Sequence, residues 1–220
     1  MTARIRENLA RVKDRIASAC SRSRRDPASV TLVAVTKYAS DDEVKAILEL
    51  GVRDLGESRA VEGSARAKRF GADVRWHFIG HLQTNKAGKV LSTFHVIHSL
   101  DRPALAEELE KRCRDRNAAF PVLVQVNVSG EATKGGYRPE DVPAAVKGLQ
   151  GSHLEVSGLM TMAPAGDPET ARPHFRKLRE LASACGVTQL SMGMTGDYEE
   201  AIEEGATLIR VGTALFESSK

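Results

Sequence analysis

The sequence predicts an α/β fold, a single (β/α)8 TIM-type barrel with an extra N-terminal helix, occupying residues 1–220 as one domain. Three observations carry this. Eight short apolar, β-rich runs recur along the chain, and helical segments alternate with them. No linker-like stretch interrupts the alternation, and 220 residues suit one mid-sized domain. A count of eight favours a closed parallel barrel, with an open doubly wound sheet as the alternative.

The elements follow in order. Ile5, Leu9, Val12, Ile16 and Cys20 recur at three- and four-residue steps with charges between them, the pattern of a helix packing one apolar stripe. The apolar runs lie at 30–35, 52–55, 75–79, 94–97, 120–128, 154–159, 189–192 and 207–211. Helical segments fall near 41–50, 59–70, 85–91, 102–117, 140–149, 169–184 and 196–204. Ser40 and Glu43 form an S-x-x-E capping box at the start of the first of these. Pro103 sits in the first turn of another helix, where its missing N–H costs little. Only residues 214–220 follow the last strand, too few for a full closing helix, so the N-terminal helix is expected to take that place in the outer ring.

Composition narrows the function classes. The formal charge is +3, from 32 basic and 29 acidic residues, too even a balance to require nucleic acid as a partner. No apolar run approaches the ~18 residues that cross a bilayer, and no apolar core of a signal peptide follows the polar opening residues. Cys20, Cys113 and Cys185 are far apart and odd in number, which gives neither a disulfide framework nor a zinc site. A reducing cytoplasm is the expected location, and no membrane association is expected.

In a barrel, function collects at the C-terminal ends of the strands. Lys37 follows the almost wholly apolar first run, where partial desolvation would favour a neutral amine able to condense with an aldehyde. The loops after the last two strands read S-M-G-M-T-G-D (191–197) and R-V-G-T-A (210–214). Barrels often bind phosphate at these two positions, and small, hydroxyl-bearing loops let backbone N–H groups approach it. Each loop also reads as a turn with a helix cap, Thr195 serving as N-cap, and the acids Asp197, Glu199 and Glu200 would repel an anion unless aimed away. Arg210, if it faces inward, could meet a pyridine nitrogen and keep it unprotonated; a phosphate contact or a surface ion pair fits the spacing equally. The histidines His77, His81, His95 and His98 lack a local metal motif and read as hydrogen-bonded or surface groups, so no metal is expected. Residues 129–137 read as an exposed loop near the barrel mouth.

Taken together, the stretches VAVTKYAS, LGESRAVE, WHFIGHLQTNK, VQVNVSGEATKGGY, GLMTMAP and LSMGMTGDYEEAIEEGATLIRVGTALF are specific. Through them the chain resembles the pyridoxal phosphate homeostasis proteins, relatives of the N-terminal barrel of alanine racemase. The resemblance implies pyridoxal 5'-phosphate held as an aldimine on Lys37, phosphate contacts around Thr195, Gly212 and Thr213, a pocket shaped in part by Met194, and Arg210 facing the pyridine nitrogen. It further implies a role in vitamin B6 homeostasis that affects amino-acid and keto-acid balance, with pyridoxal-phosphate-dependent apo-enzymes as cofactor acceptors. Two positions depart from the family pattern. Ser58 stands where Asn is usual, a shorter group near the cofactor ring, and Glu217 stands where Gly usually follows the final Phe.

A racemase or lyase is the alternative, since the same cofactor can stabilise a carbanion. Racemisation needs acid–base groups on both ring faces. In alanine racemase the opposite-face tyrosine belongs to a second, β-rich domain, and these 220 residues offer only Tyr38, Tyr137 and Tyr198. Tyr38 adjoins Lys37 and on a strand would point the other way. A carrier without catalytic residues is therefore the favoured expectation.

Overall fold

A computed structural model describes residues 2–71, 73–131, 133–164 and 166–217, so Met1 and residues 218–220 of the expected domain lie outside the described residues. Eight strands run in parallel and close on themselves: β1 (Thr31–Val35), β2 (Asp54–Glu57), β3 (Arg75–Phe78), β4 (Val96–Leu100), β5 (Phe120–Gln125), β6 (Leu154–Met160), β7 (Gln189–Ser191) and β8 (Leu208–Val211). The closing pair is β1 with β8, in which Val33 lies opposite Arg210 and Ala34 opposite Val211. The barrel expectation therefore holds, and the open sheet is excluded.

The helical jacket consists of α1 (Thr2–Arg22), α2 (Asp41–Glu49), α3 (Ala60–Phe70), α4 (Ala87–Leu91), α5 (Pro103–Asp115), α6 (Val142–Gly148), α7 (Pro168–Ala184), α8 (Tyr198–Glu203) and α9 (Thr213–Phe216). Ser40 caps α2 with both halves of its capping box present, and Pro103 opens α5. The stripe Ile5, Leu9, Val12, Ile16 and Cys20 is buried. With it α1 packs against α2 on one side and α8 and α9 on the other. It thus fills the place that the four-residue α9 is too short to take, and Asn8 ties the two ends by donating to the carbonyls of Leu215 and Glu217 at 3.0 Å each.

Strand alternation sorts the core into two layers. Outward-facing Ala34, Leu55, Trp76, Ile97, Val124 and Ile209 are buried with the helices. Inside the barrel, Val33, Val96, Leu123, Met160 and Leu208 form a separate small apolar cluster. The remaining interior is polar: His77, His98, Ser191 and Arg210 are each at most 4 % exposed. Strand limits moved at β4, which runs to Leu100, at β5, which stops at Gln125, and at β2, which runs to Glu57 because the polar tail Gly56-Glu57 pairs with His77 and Phe78.

Candidate functional site

A cavity of about 310 Å³ opens at the C-terminal ends of the strands. Its wall includes every residue singled out from the sequence: Lys37, Ser58, Met194, Thr195, Arg210, Gly212 and Thr213. Val35, Ile79, Met162 and Gly196 complete it. Alternation explains part of the selection: Val35 continues the inward phase of Val33 and Arg210 that of Leu208, while Lys37 and Gly212 lie just beyond their strands. The condition placed on Arg210, that its register face inward, is met.

Lys37 differs from expectation in its surroundings. β1 ends at Val35, and Lys37 lies in the turn beyond it, exposed at the cavity mouth and not desolvated against an apolar strand. Its Nζ sits 5.1 Å from the centre of the Tyr38 ring. Tyr38, 78 % exposed, is therefore beside the amine; the alternation that would have sent it the other way stops where the strand stops.

A clamp that the sequence did not disclose holds this turn. Glu57 is buried at the end of β2, and its Oε1 accepts from Thr36 Oγ1 at 2.6 Å and from Arg66 Nη1 at 2.9 Å. Arg66, reaching in from α3, also donates to the Thr36 carbonyl and, at 2.8 Å, to that of Ala39. One planar fork thus grips both sides of Lys37-Tyr38, a task suited to guanidinium.

The opposite wall is made by the loops after β7 and β8. Gly193 has φ +91°, and a Cβ there would lie 2.6 Å from Ala201 Cβ, so only glycine lets the chain turn here into Met194-Thr195-Gly196. No backbone hydrogen bond engages the N–H groups of Thr195, Gly196 or Thr213 among the described residues. Thr195 is not the helix cap: α8 starts at Tyr198 after Asp197, and Thr195 Oγ1 instead faces Ala214 N at 3.5 Å across the two loops. Asp197 and Glu199 do not line the cavity. Asp197 accepts from the Met194 N–H at 2.6 Å, with burial raising its pKa, while Glu199 pairs with Arg15 and Arg22 of α1.

Arg210 is the buried charge of the site. Its Nη1 donates to Ser191 Oγ at 2.6 Å and its Nη2 to the Thr161 carbonyl at 2.9 Å, leaving other N–H donors of the five uncommitted. Burial lowers its pKa to about 10, which still leaves it cationic at neutral pH. Behind it runs a second unforeseen feature. Ser191 Oγ meets His98 Nδ1 at 2.7 Å, His98 Nε2 meets His77 Nδ1 at 2.8 Å, and His77 Nε2 meets Asp54 Oδ1 at 2.9 Å. Burial holds His77 below, and His98 well below, the ordinary histidine range. The other two histidines are also bonded, His81 to Asp101 and His95 to the Trp76 N–H. No cluster of metal-binding side chains occurs among the described residues. The inward alternation of His77 and His98 on neighbouring strands was the one available signal for their pairing.

A larger groove, about 550 Å³, lies in the jacket between α5 and α6, lined by residues such as Ala106, Tyr137 and Leu149. It is remote from the strand ends where Lys37 and Arg210 converge, and size alone does not make it the site.

The chain matches the family described as alanine racemase, N-terminal domain, over residues 2–220. It is 41% identical over 223 residues to a pyridoxal phosphate homeostasis protein of Aquifex aeolicus, covering 97% of this chain and 98% of that one. A protein of the same name from Pseudomonas aeruginosa is 42% identical over 221 residues, covering 96% and 94%. Among solved structures, PipY of Synechococcus elongatus with PLP bound superimposes with a TM-score of 0.80 at 34% identity, covering 93% of this chain and 99% of that one. The chain belongs to the alanine racemase N-terminal domain family, in its branch of pyridoxal phosphate homeostasis proteins.

Proposed function

We propose that this chain binds pyridoxal 5'-phosphate in the cavity at the C-terminal mouth of the barrel and carries it for vitamin B6 homeostasis. The observation that supports this most is the convergence of Lys37, Arg210 and the paired loops at 194–196 and 212–213 on one cavity. The residues fit the group: an amine for an aldehyde, uncommitted N–H and hydroxyl groups on small loop residues for a phosphate, and a fixed cation for a ring nitrogen. At Gly196 an added Cβ would meet nothing within 4 Å, so the cradle has room for a guest.

Bound pyridoxal phosphate would supply an electrophilic aldehyde and a ring able to withdraw electrons. Lys37 would hold it through its amine, and the Arg66 clamp fixes the turn from which the lysine reaches. Thr195, Gly196, Gly212 and Thr213 hold the phosphate; Met194 and Ser58 shape the pocket beside the ring. Arg210 would face the ring nitrogen and favour its unprotonated form, weakening the electron sink. The homologues' name as homeostasis proteins supports a carrier over a racemase or lyase; Tyr38, beside the Lys37 amine, is the one acid–base group the described residues place near the tether. We further propose that the chain works as one barrel domain in the cytoplasm, where its three free thiols stay reduced, and that it serves cofactor-dependent apo-enzymes as acceptors, influencing amino-acid and keto-acid balance. No helix among the described residues is long and apolar enough to cross a membrane.

The test is spectroscopic. Incubation with pyridoxal phosphate should give an absorption band near ~420 nm, absent in Lys37→Ala. A wild-type protein without that band would overturn the cofactor reading. Enzyme-like loss of optical rotation with D- or L-alanine would overturn the carrier reading alone.

A further inference from the structure

The polar interior of the barrel has a direction. Arg210 is donor only, so it must give a proton to Ser191 Oγ; Asp54, as a carboxylate, is acceptor only. With both imidazoles neutral, His77 must carry its proton on Nε2 to serve Asp54, leaving Nδ1 bare. His98 must then carry its proton on Nε2 to serve His77, leaving its own Nδ1 to accept from the Ser191 hydroxyl. Every bond points the same way, from the cation at the cavity to the anion at the far end of the barrel. The reverse arrangement would leave the Ser191 hydroxyl proton without its imidazole acceptor and would set two acceptors, His77 Nε2 and Asp54, face to face.

We propose that Asp54, His77, His98 and Ser191 form a one-way hydrogen-bond chain that fixes the attitude of Arg210 toward the cofactor ring, and that they are positioning residues for the pyridoxal phosphate site. The proposal rests on the functional reading above for its ligand, while the chain itself stands on geometry. Four links, from 2.6 to 2.9 Å, join groups that are at most 1 % exposed between the two charged ends. A carboxylate placed directly on Arg210 would share its charge with the site. Two neutral rings separate Asp54 from Arg210, and the guanidinium is oriented by a hydroxyl and a carbonyl, with Asp197 the nearer acid. Asp54 is the accessible end, its side chain 27 % exposed. The other charged or titratable groups facing the chain are Arg75 and His95 beside the histidines and Asp197 beside Arg210.

Because Asp54 is partly exposed and opens its strand, Asp54→Ala and Asp54→Asn can be compared in folded full-length protein. The first arm needs no cofactor: long-range ¹H–¹⁵N spectra separate protonated from bare ring nitrogens. Wild type should show His77 and His98 neutral with the proton on Nε2. Asp54→Ala should mix the tautomers of both rings, and Asp54→Asn, which keeps an acceptor oxygen, should restore them. The second arm titrates pyridoxal phosphate: binding should weaken about tenfold in Asp54→Ala and stay within about twofold of wild type in Asp54→Asn. A proton on Nδ1 of either ring in wild type overturns the chain. Unchanged His98 tautomer and unchanged affinity in Asp54→Ala overturn its positioning role. A wild type that binds no pyridoxal phosphate overturns the functional reading and the cofactor half of this proposal, while the tautomer arm still decides the chain.

Discussion

Replacing Arg66 by alanine should damage both stability and the cofactor tether, and the structure sets the size of each effect. The guanidinium faces the buried carboxylate of Glu57 at 2.9 Å and satisfies the carbonyls of Thr36 and Ala39, both buried residues. Removing one partner of a buried pair costs about 3–5 kcal/mol, chiefly because the other charge is left unpaired. The Arg66 side chain is 19% exposed, so water can reach part of the gap and the lower end applies, about 3 kcal/mol. For a chain of this length that corresponds to a fall in Tm of roughly 6–12 °C. Arg66→Lys should fall between, since an ammonium can face Glu57 but cannot span both carbonyls with a planar fork. Thermal melting of the cofactor-free protein measures the first effect. Pyridoxal phosphate titration well below the melting range measures the second, where the loosened turn should weaken binding several-fold beyond any unfolding. An Arg66→Ala protein melting within about 2 °C of wild type, with unchanged affinity, would refute the clamp as described here.

Two further outcomes follow from the site. His77 and His98 are held below the ordinary histidine range by burial, so as the pH falls through about 6.5 the unfolded chain takes up more protons than the folded one. Stability should therefore fall between pH 7.5 and 5.5, by at most about 1.4 kcal/mol per pH unit for each imidazole; urea midpoints that do not move would count against two neutral rings. Ser58→Asn should tighten pyridoxal phosphate binding by up to about tenfold, the worth of one added hydrogen bond at the ring side of the cavity, as read by the same titration.

What the sequence disclosed and what it hid divide along a physical line. Apolar runs showed all eight strands because burial on both faces demands continuous hydrophobic stretches, and the stripe on α1 showed its packing face for the same reason. The residues lining the cavity were legible because barrel topology sends strand ends to one mouth, whatever their order in the chain. The Arg66 clamp was not legible: a carboxylate in Leu-Gly-Glu-Ser and an arginine among the charges of α3 look like surface groups until α3 is laid against β2. The exposure of Lys37 was misjudged although the apolar run and the strand both end at Val35, because the turn that follows carries the amine out to the cavity mouth, away from the apolar strand. The histidine chain required pairing across β3, β4 and β7, and Ser191 lies 93 residues beyond His98.

Closure of the ring by β1 and β8 has a consequence for how this protein is made. Lys37 leaves the ribosome well before Arg210, Gly212 and Thr213. The first strand must wait for the eighth, and α1 for α8 and α9, before either finds its permanent neighbour. The proposed cofactor site is thus a seam where the first and eighth strands are joined, and it is complete only once the eighth strand has been made. In the proposed binding mode pyridoxal phosphate contacts both sides of that seam and should act as its fastener, favouring the closed barrel over a partly assembled ring by the free energy with which it binds.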